Sequence, residues 1–222
     1  MSTVAKFVLV GVIGYLLGAI PFGVLVSRWK GKVDVRQHGS GKMGATNVMR
    51  IIGHKAAAMV FGLDLMKGAL AVIIAGLIVG RDSLVVGGYG VGILVAQVTA
   101  ALAAMGGHAR PVFLKFRGGG RGVATFFGGL AVLYPPAAIF GGEIFIIGAG
   151  LTKFVSLGSI VAAVSTYAIL VPLTIMHGFP IEYLVYALIG TVVIIIMHRD
   201  NIARLLAGKE RKLGERAKPE EH

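Results

Sequence analysis

An all-α integral membrane protein is the fold class this sequence predicts, and three observations predict it. First, 56% of its 222 residues are hydrophobic and only 14% are charged, against about 25% charged in an ordinary soluble domain; the mean hydropathy is +0.83. Second, residues 7–27, 83–107, 122–142 and 154–181 contain no Asp, Glu, Lys or Arg, and a run of roughly 18 such residues is enough for a crossing helix. Third, there are 34 glycines, and small residues let helix backbones approach closely in lipid. A single domain over 1–222 is expected.

Span one is predicted over 4–27. It has no small-residue cleavage site and continues through Pro21, so it reads as a span rather than a leader. Residues 28–55 follow, dense in Lys and Arg and therefore cytoplasmic. Span two covers 56–80 and carries Asp64 and Lys67 three apart, on one helical face. Ionisable groups inside a span are costly and usually paired; the two form a neutralising pair or help shape a polar site. Arg81, Asp82 and Ser83 make an outer turn, and span three runs over 84–105. A second basic polar stretch occupies 106–125.

The segment 122–152 decides the topology. Its 31 residues would reach about 46 Å as one helix, against a bilayer core of about 30 Å. Pro135 and Pro136 interrupt its middle. Two short spans result, 123–134 and 137–151, joined outside, with Glu143 facing protein. Lys153 then lies inside, span six is 154–176, 177–182 is an outer turn, span seven is 183–197, and the basic tail 198–222 is inside. The prediction is seven transmembrane helices, N-terminus outside, C-terminus cytoplasmic, with three cytoplasmic motif loops. Of 22 basic residues only Lys6 and Arg81 fall near the outer face, as the positive-inside bias requires.

Three polar clusters thus share one side. The first is Gly39-Ser-Gly-Lys-Met-Gly-Ala-Thr-Asn-Val-Met-Arg50. Its glycines let backbone N–H groups converge, its hydroxyls, amide and cations suit an oxyanion, and a helix start would add a favourable dipole. It is not a nucleotide-binding P-loop: Ala45 and Thr46 follow Gly44 where Lys and Ser/Thr are needed, and no strand precedes it. The second cluster holds His108 and three glycines between Arg117 and Arg121; arginine binds phosphate bidentately, and glycine lets the backbone approach too. The third places His198, Asn201 and Arg204 at helical spacing, where His is the commonest general base near neutral pH.

The net charge of +12 would suggest nucleic acid in a soluble protein. Here it reads as membrane topology plus attraction for anionic substrates, with no nucleic-acid partner. There is no Cys, hence no disulfide, thiolate nucleophile or Cys metal site; no metal or cofactor is expected. Two function classes stay open on the residues alone: a lipid-directed transferase, or a membrane transporter of an anionic phosphate metabolite. A transporter favours an inverted repeat and a mid-membrane site; this chain shows no such repeat, and its polar residues sit at span ends.

The three clusters resemble the signatures of the bacterial acyl-phosphate-dependent glycerol-3-phosphate acyltransferases, the PlsY family. The matching residues are Gly39-Ser-Gly, Gly44-Ala-Thr-Asn-Val-Met-Arg50, Gly107-His-Ala-Arg-Pro-Val-Phe-Leu-Lys-Phe116, Gly122-Val-Ala-Thr125 and His198-Arg-Asp-Asn201 through Glu210. The resemblance covers nearly the whole chain. It implies transfer of a fatty acyl group from acyl phosphate to the 1-hydroxyl of glycerol 3-phosphate, giving 1-acyl-glycerol 3-phosphate (lysophosphatidic acid) and phosphate in phospholipid synthesis, without an acyl-enzyme intermediate. It implies a multi-pass protein of the bacterial plasma (inner) membrane, in contact with the lipid bilayer, its site facing the cytoplasm, with a monomer as the working expectation. By motif position the catalytic set is Ser40, His198 and Asn201, with Ser40 a binder rather than a nucleophile. The binding set is Arg50, Thr46, Asn47, Gly44, His108, Arg121, Gly120, Ser156, Ser159 and Glu210. Two departures stand out: Lys42 replaces the family's usual Asn, and Gly118-Gly-Gly-Arg-Gly122 is one Gly longer than the family core, with Arg121 in place of Lys.

Overall fold

The computed structural model describes residues 2–86 and 89–215, and the regular elements among them are helical apart from one small hairpin. Helix α1 (Thr3–Ala19) opens on Ser2, whose hydroxyl accepts from the Ala5 amide at 3.3 Å. It does not continue to residue 27 as expected. Pro21 lacks an amide and disfavours helical backbone at Ile20, which turns out at φ −58°, ψ 118°; a separate α2 (Phe22–Gly31) follows. The Ile20 carbonyl accepts from Lys67 Nζ at 3.2 Å, and that ammonium also lies 2.8 Å from Asp64. The pair within span two therefore both neutralises itself and secures the break in span one.

After α3 (Ala45–Ile51) and α4 (His54–Val79) the chain departs again from expectation. Span three was expected to begin at residue 84, but β1 (Leu84–Val86) and β2 (Tyr89–Val91) pair antiparallel, with Leu84 opposite Val91. Gly87 and Gly88 lie outside the described residues. Glycine costs about 1 kcal/mol in a helix relative to alanine, and four of the nine residues from 84 to 92 are Gly. Valine and tyrosine, favourable in strands, fill much of the rest. Helix α5 starts only at Ile93 and runs to Ala109.

The break at Tyr134 falls where expected, between α6 (Val123–Leu133) and α7 (Pro135–Thr152). The two prolines begin α7, where a missing amide costs nothing. Helix α8 (Val155–His177) ends at Gly178, with φ 64°. Helix α9 (Ile181–Met197) bends by 60° into α10 (Arg199–Leu206).

Four described segments are long and apolar enough to cross a membrane: Thr3–Gly31 taken across its break, His54–Val79, Pro135–Thr152 and Val155–His177. The bent α9–α10 pair would make a fifth. Helices α5 and α6 have 17 and 11 residues, short of a simple crossing. Val4, Val8, Val12 and Leu16, four apart on α1, are exposed, a lipid-facing stripe rather than a soluble surface.

Small residues set the packing. Gly14 and Gly18 of α1 face Ala100 and Ala104 of α5, so close that a Cβ on either would overlap a backbone carbonyl. This spacing brings helices together in lipid, where van der Waals contact drives association. The larger core lies among α5, α6, α8 and α9: Tyr186 is fully buried, stacks on Phe126 with ring centroids 5.2 Å apart, and donates to the Phe126 carbonyl at 2.8 Å. A separate core of Val24, Val35, Met43, Val48 and Val60 sits beneath the first motif loop and gives it a rigid base.

Candidate active site

The first loop is held by one amide side chain. Asn47 Oδ1 accepts from the Ser40 amide at 3.1 Å, and its Nδ2 donates to the carbonyls of Val35, His38 and Lys42 at 3.0, 3.1 and 2.9 Å. Asn47 is buried, so its hydrogen-bonding capacity is taken up in shaping the loop. Asp34 steadies the approach, accepting from the Arg36 amide and guanidinium and from Arg28. The Met43 amide donates to the Gly118 carbonyl at 3.0 Å and ties the first loop to the second. Helix α3 is only seven residues long, so the dipole expected of it is small.

The second loop uses the full length of its glycine run. The Gly120 amide donates to the His108 carbonyl at 3.0 Å, and a Cβ on Gly120 would overlap the His108 imidazole. Gly122 caps α6 at φ 83°, a backbone region that suits glycine. His108 is buried, with Nδ1 3.5 Å from Asp64. Arg121 is thereby placed between a fixed imidazole and the start of a helix.

The third cluster closes through Glu210. Its carboxylate accepts from Ser156 Oγ at 2.9 Å, Asn201 Nδ2 at 2.6 Å and Arg204 Nε at 2.7 Å, joining α8, α10 and the tail. Burial alone would raise this carboxyl, but those hydrogen bonds outweigh it and hold it below its ordinary value. Ser159 donates to the Val155 carbonyl of its own helix at 2.8 Å. The tail also reaches Arg50, whose Nη2 donates to the Arg211 carbonyl at 3.4 Å.

These loops and helix ends enclose one cavity of about 750 Å³, counting its open mouth. Ser40, Gly44, Thr46, Asn47, Arg50, His108, Gly120, Arg121, Ser156, Ser159, His198, Asn201 and Glu210 all line it. The structure thus brings together every residue of the expected catalytic and binding sets. Lys42 and Asp64, noted in the sequence outside those sets, line the cavity's polar side, and the structure adds Phe61, Val123, Phe145 and Val155 as apolar wall. Phenylalanine and valine in an apolar span look like any lipid-facing residue, so the sequence carried no signal for them.

Charge defines what the cavity can hold. Asp64 is paired with Lys67, and Glu210 with Arg204. Lys42, Arg50 and Arg121 have no carboxylate within ion-pair distance among the described residues. The Nε atoms of Arg50 and Arg121 are buried without a hydrogen-bond partner. Burial, then the Arg204 charge, pulls the Arg121 guanidinium down to about 10. Burial, then Arg211, lowers Arg50, and burial, then Arg121, lowers Lys42. Unsatisfied buried donors of one sign make a site for an oxyanion, and guanidinium matches phosphate bidentately.

His198 supplies the opposite polarity. Its Nδ1 lies 2.8 Å from the Ile194 carbonyl, which can only accept, so Nδ1 carries the proton and Nε2 keeps a lone pair. Burial, then the Arg121 charge, pushes the imidazole down to about 4. Asn201 donates to Glu210, and its Oδ1 is buried and unpartnered. A neutral imidazole and an amide oxygen thus offer acceptors to a hydroxyl beside two guanidiniums that no carboxylate neutralises.

The chain is similar to known proteins over nearly its whole length. The family model described as "Glycerol-3-phosphate acyltransferase" matches residues 8–208. The protein "Glycerol-3-phosphate acyltransferase 3" of Dehalococcoides mccartyi (strain CBDB1) is 61% identical over 97% of this chain and 99% of its own length. "Glycerol-3-phosphate acyltransferase" of Thermoanaerobacter pseudethanolicus is 39% identical over 94% and 96%. Among solved structures, the glycerol 3-phosphate form of PlsY, an integral membrane glycerol 3-phosphate acyltransferase, superposes with a TM-score of 0.79 at 36% identity, covering 94% of this chain and 96% of the other. The lysophosphatidic acid form of the same enzyme gives 0.75.

Proposed function

The chain belongs to the glycerol-3-phosphate acyltransferase family, and from that premise we propose that it transfers a fatty acyl group from acyl phosphate to the 1-hydroxyl of glycerol 3-phosphate. It is an integral membrane acyltransferase of phospholipid synthesis. One observation carries the finer reading: two guanidiniums with no carboxylate partner among the described residues, each with an unpartnered Nε, share a cavity with a neutral histidine and an unpartnered amide oxygen.

Arg50 and Arg121 bind the phosphate of glycerol 3-phosphate, assisted by Lys42 and the Ser40 hydroxyl. His198 Nε2 and Asn201 Oδ1 accept from the glycerol hydroxyl and aim its oxygen at the acyl carbonyl. The new ester C–O bond forms as the acyl–phosphate C–O bond breaks. Phosphate leaves as the product and takes the hydroxyl proton, and the other product is 1-acyl-glycerol 3-phosphate. Acyl phosphate is already activated, so positioning and charge stabilisation supply most of the rate and no acyl-enzyme is needed. Phe61, Val123, Phe145 and Val155 give the acyl chain an apolar wall. Thr46 and Gly44 border the phosphate side, while Asn47, Glu210, Ser156, Ser159 and His108 hold the groups that touch substrate.

Seven crossings, with α5 and α6 as short members of the bundle, put all three loops on the basic, cytoplasmic side of a bacterial inner membrane. The N-terminus then lies outside, where the Lys6–Asp82 pair at 2.6 Å neutralises its charge. A monomer is the working form in this reading, because every residue given a role in binding or positioning the substrates lines one cavity. Apart from Asp64, the charged residues that line the cavity lie in loops and at helix ends rather than mid-span, which favours an enzyme over a transporter.

The donor is tested by supplying purified protein with acyl phosphate or acyl-CoA as sole acyl source. Turnover with acyl phosphate and none with acyl-CoA is expected; sustained turnover with acyl-CoA would overturn the donor. Gly120→Ala forces a methyl against a buried imidazole and displaces Arg121. It is expected to raise the KM for glycerol 3-phosphate at least tenfold while the protein still inserts. An unchanged KM in a folded variant would show that the His108–Gly120 contact does not position Arg121.

A further inference from the structure

Beside the active cavity lies a second, of about 680 Å³ with its mouth, and Lys42 lines both. Its other charged residues are Arg110, Arg117, Arg199 and Asp200. Asp200 lies 3.6 Å from Arg199 and offsets it. Lys42, Arg110 and Arg117 have no carboxylate within ion-pair distance among the described residues. The cavity thus carries three uncompensated cations and one compensated one.

Its wall is built rather than incidental. Arg117 follows a tight turn in which Lys115 and Phe116 both adopt left-handed backbone, at φ 52° and 61°. Such a conformation costs roughly 1–2 kcal/mol per residue outside glycine, and bulky residues rarely adopt it. Three amides fix it: Lys115 to Val112, Phe116 to Pro111 and Arg117 to Leu114, at 3.0, 2.9 and 3.1 Å. The Lys42 backbone is fixed too, its carbonyl accepting from Asn47 at 2.9 Å. Basic loop residues that only set membrane orientation need neither a strained turn nor a shared concavity.

We propose that the second cavity is a phosphate-group site, a station next to the reacting centre whose ligand Lys42 contacts from one side while facing the active cavity on the other. The proposal rests on the reading of the first cavity as the acyltransfer site. Each turnover in that reading admits glycerol 3-phosphate and releases inorganic phosphate. Both carry the dianion that Arg110 and Arg117 suit, and a cationic vestibule raises its local concentration. An anionic lipid headgroup presents the same chemistry.

The test uses the full chain in nanodiscs of zwitterionic phosphatidylcholine, titrated calorimetrically with inorganic phosphate. Wild type is expected to bind two phosphates per chain. The double variant Arg110→Gln/Arg117→Gln should lose one and keep the other, and Arg50→Ala should lose the complementary one. In steady-state assays the double variant should raise the KM for glycerol 3-phosphate about tenfold and weaken inhibition by phosphate, with kcat within twofold. Nanodiscs of phosphatidylglycerol separate the sources. Two phosphates bound there assign the station to the soluble dianion; one phosphate, with lipid retention that falls in the double variant, assigns it to the headgroup. A single phosphate in phosphatidylcholine together with an unaltered KM in the double variant overturns the proposal. The first-cavity reading fails by a different sign, full acyl transfer by Arg50→Ala, which leaves the binding result of the double variant unaffected.

Discussion

Arg50→Ala lowers kcat/KM by roughly 10²- to 10³-fold, the loss expected when one charge-assisted donor to a developing anion is removed from a desolvated site. The same substitution is expected to leave thermal stability unchanged or raised. Arg50 has no carboxylate partner, and its charge opposes that of Arg121, so folding gains by its loss while binding suffers. This opposition separates a functional residue from a structural one. Arg50→Lys should recover only part of the activity, because an ammonium keeps the charge but not the bidentate fork. Arg121→Ala should behave like Arg50→Ala. The double variant should lose less than the product of the two, since both side chains act on one phosphate. Activity within twofold of wild type in a folded Arg50→Ala protein would falsify the assignment of the phosphate site.

His198→Ala is expected to lower kcat by roughly 10²-fold, the cost of misplacing a reacting hydroxyl, with a smaller change in the KM for glycerol 3-phosphate. The role requires the neutral ring. With the fold holding the imidazole at about 4 and the unfolded chain near 6.5, His198 stays neutral in the native protein throughout the physiological range. The sign for stability follows: the unfolded state binds the proton more readily, so the contribution is fully present above about 6.5 and is lost as pH falls towards 4. Imidazole resonances of selectively labelled protein should therefore show no protonation of His198 between pH 8 and about 5. A titration midpoint near 6.5 would mean that burial and the Arg121 charge do not govern this ring.

Much of the candidate site could be read from the chain because polar residues stand out against an apolar one. Ser40, Arg121 and His198 lie at span ends where lipid contact offers no reason for them, so their presence itself pointed to a site. Their division of labour was not legible. Asn47 and Arg50 lie three residues apart in one helix, yet Asn47 is occupied by four loop hydrogen bonds while Arg50 lines the cavity with its Nε unpartnered. Glu210 likewise resembles a ligand-binding carboxylate, but three donors from α8 and α10 already engage it. Lys42, a departure from the family pattern, lines both cavities, a position that depends on where the second loop lies.

The amino-acid sequence by itself determined the membrane class, the break at Pro135, the three polar clusters and the family they mark. Each follows from local properties: apolar run length, proline chemistry and short motifs. It missed the end of α1 at Ile20 and the hairpin before α5, where proline and glycine preferences overrode an unbroken apolar run. Only the tertiary structure decided which polar groups are satisfied and which are free. Ser156 meets Glu210 across 54 residues, and Arg50 reaches the Arg211 carbonyl across 161. Whether a buried cation or amide is available to a substrate depends on its partner in space, and for these side chains the partner comes from a distant part of the chain.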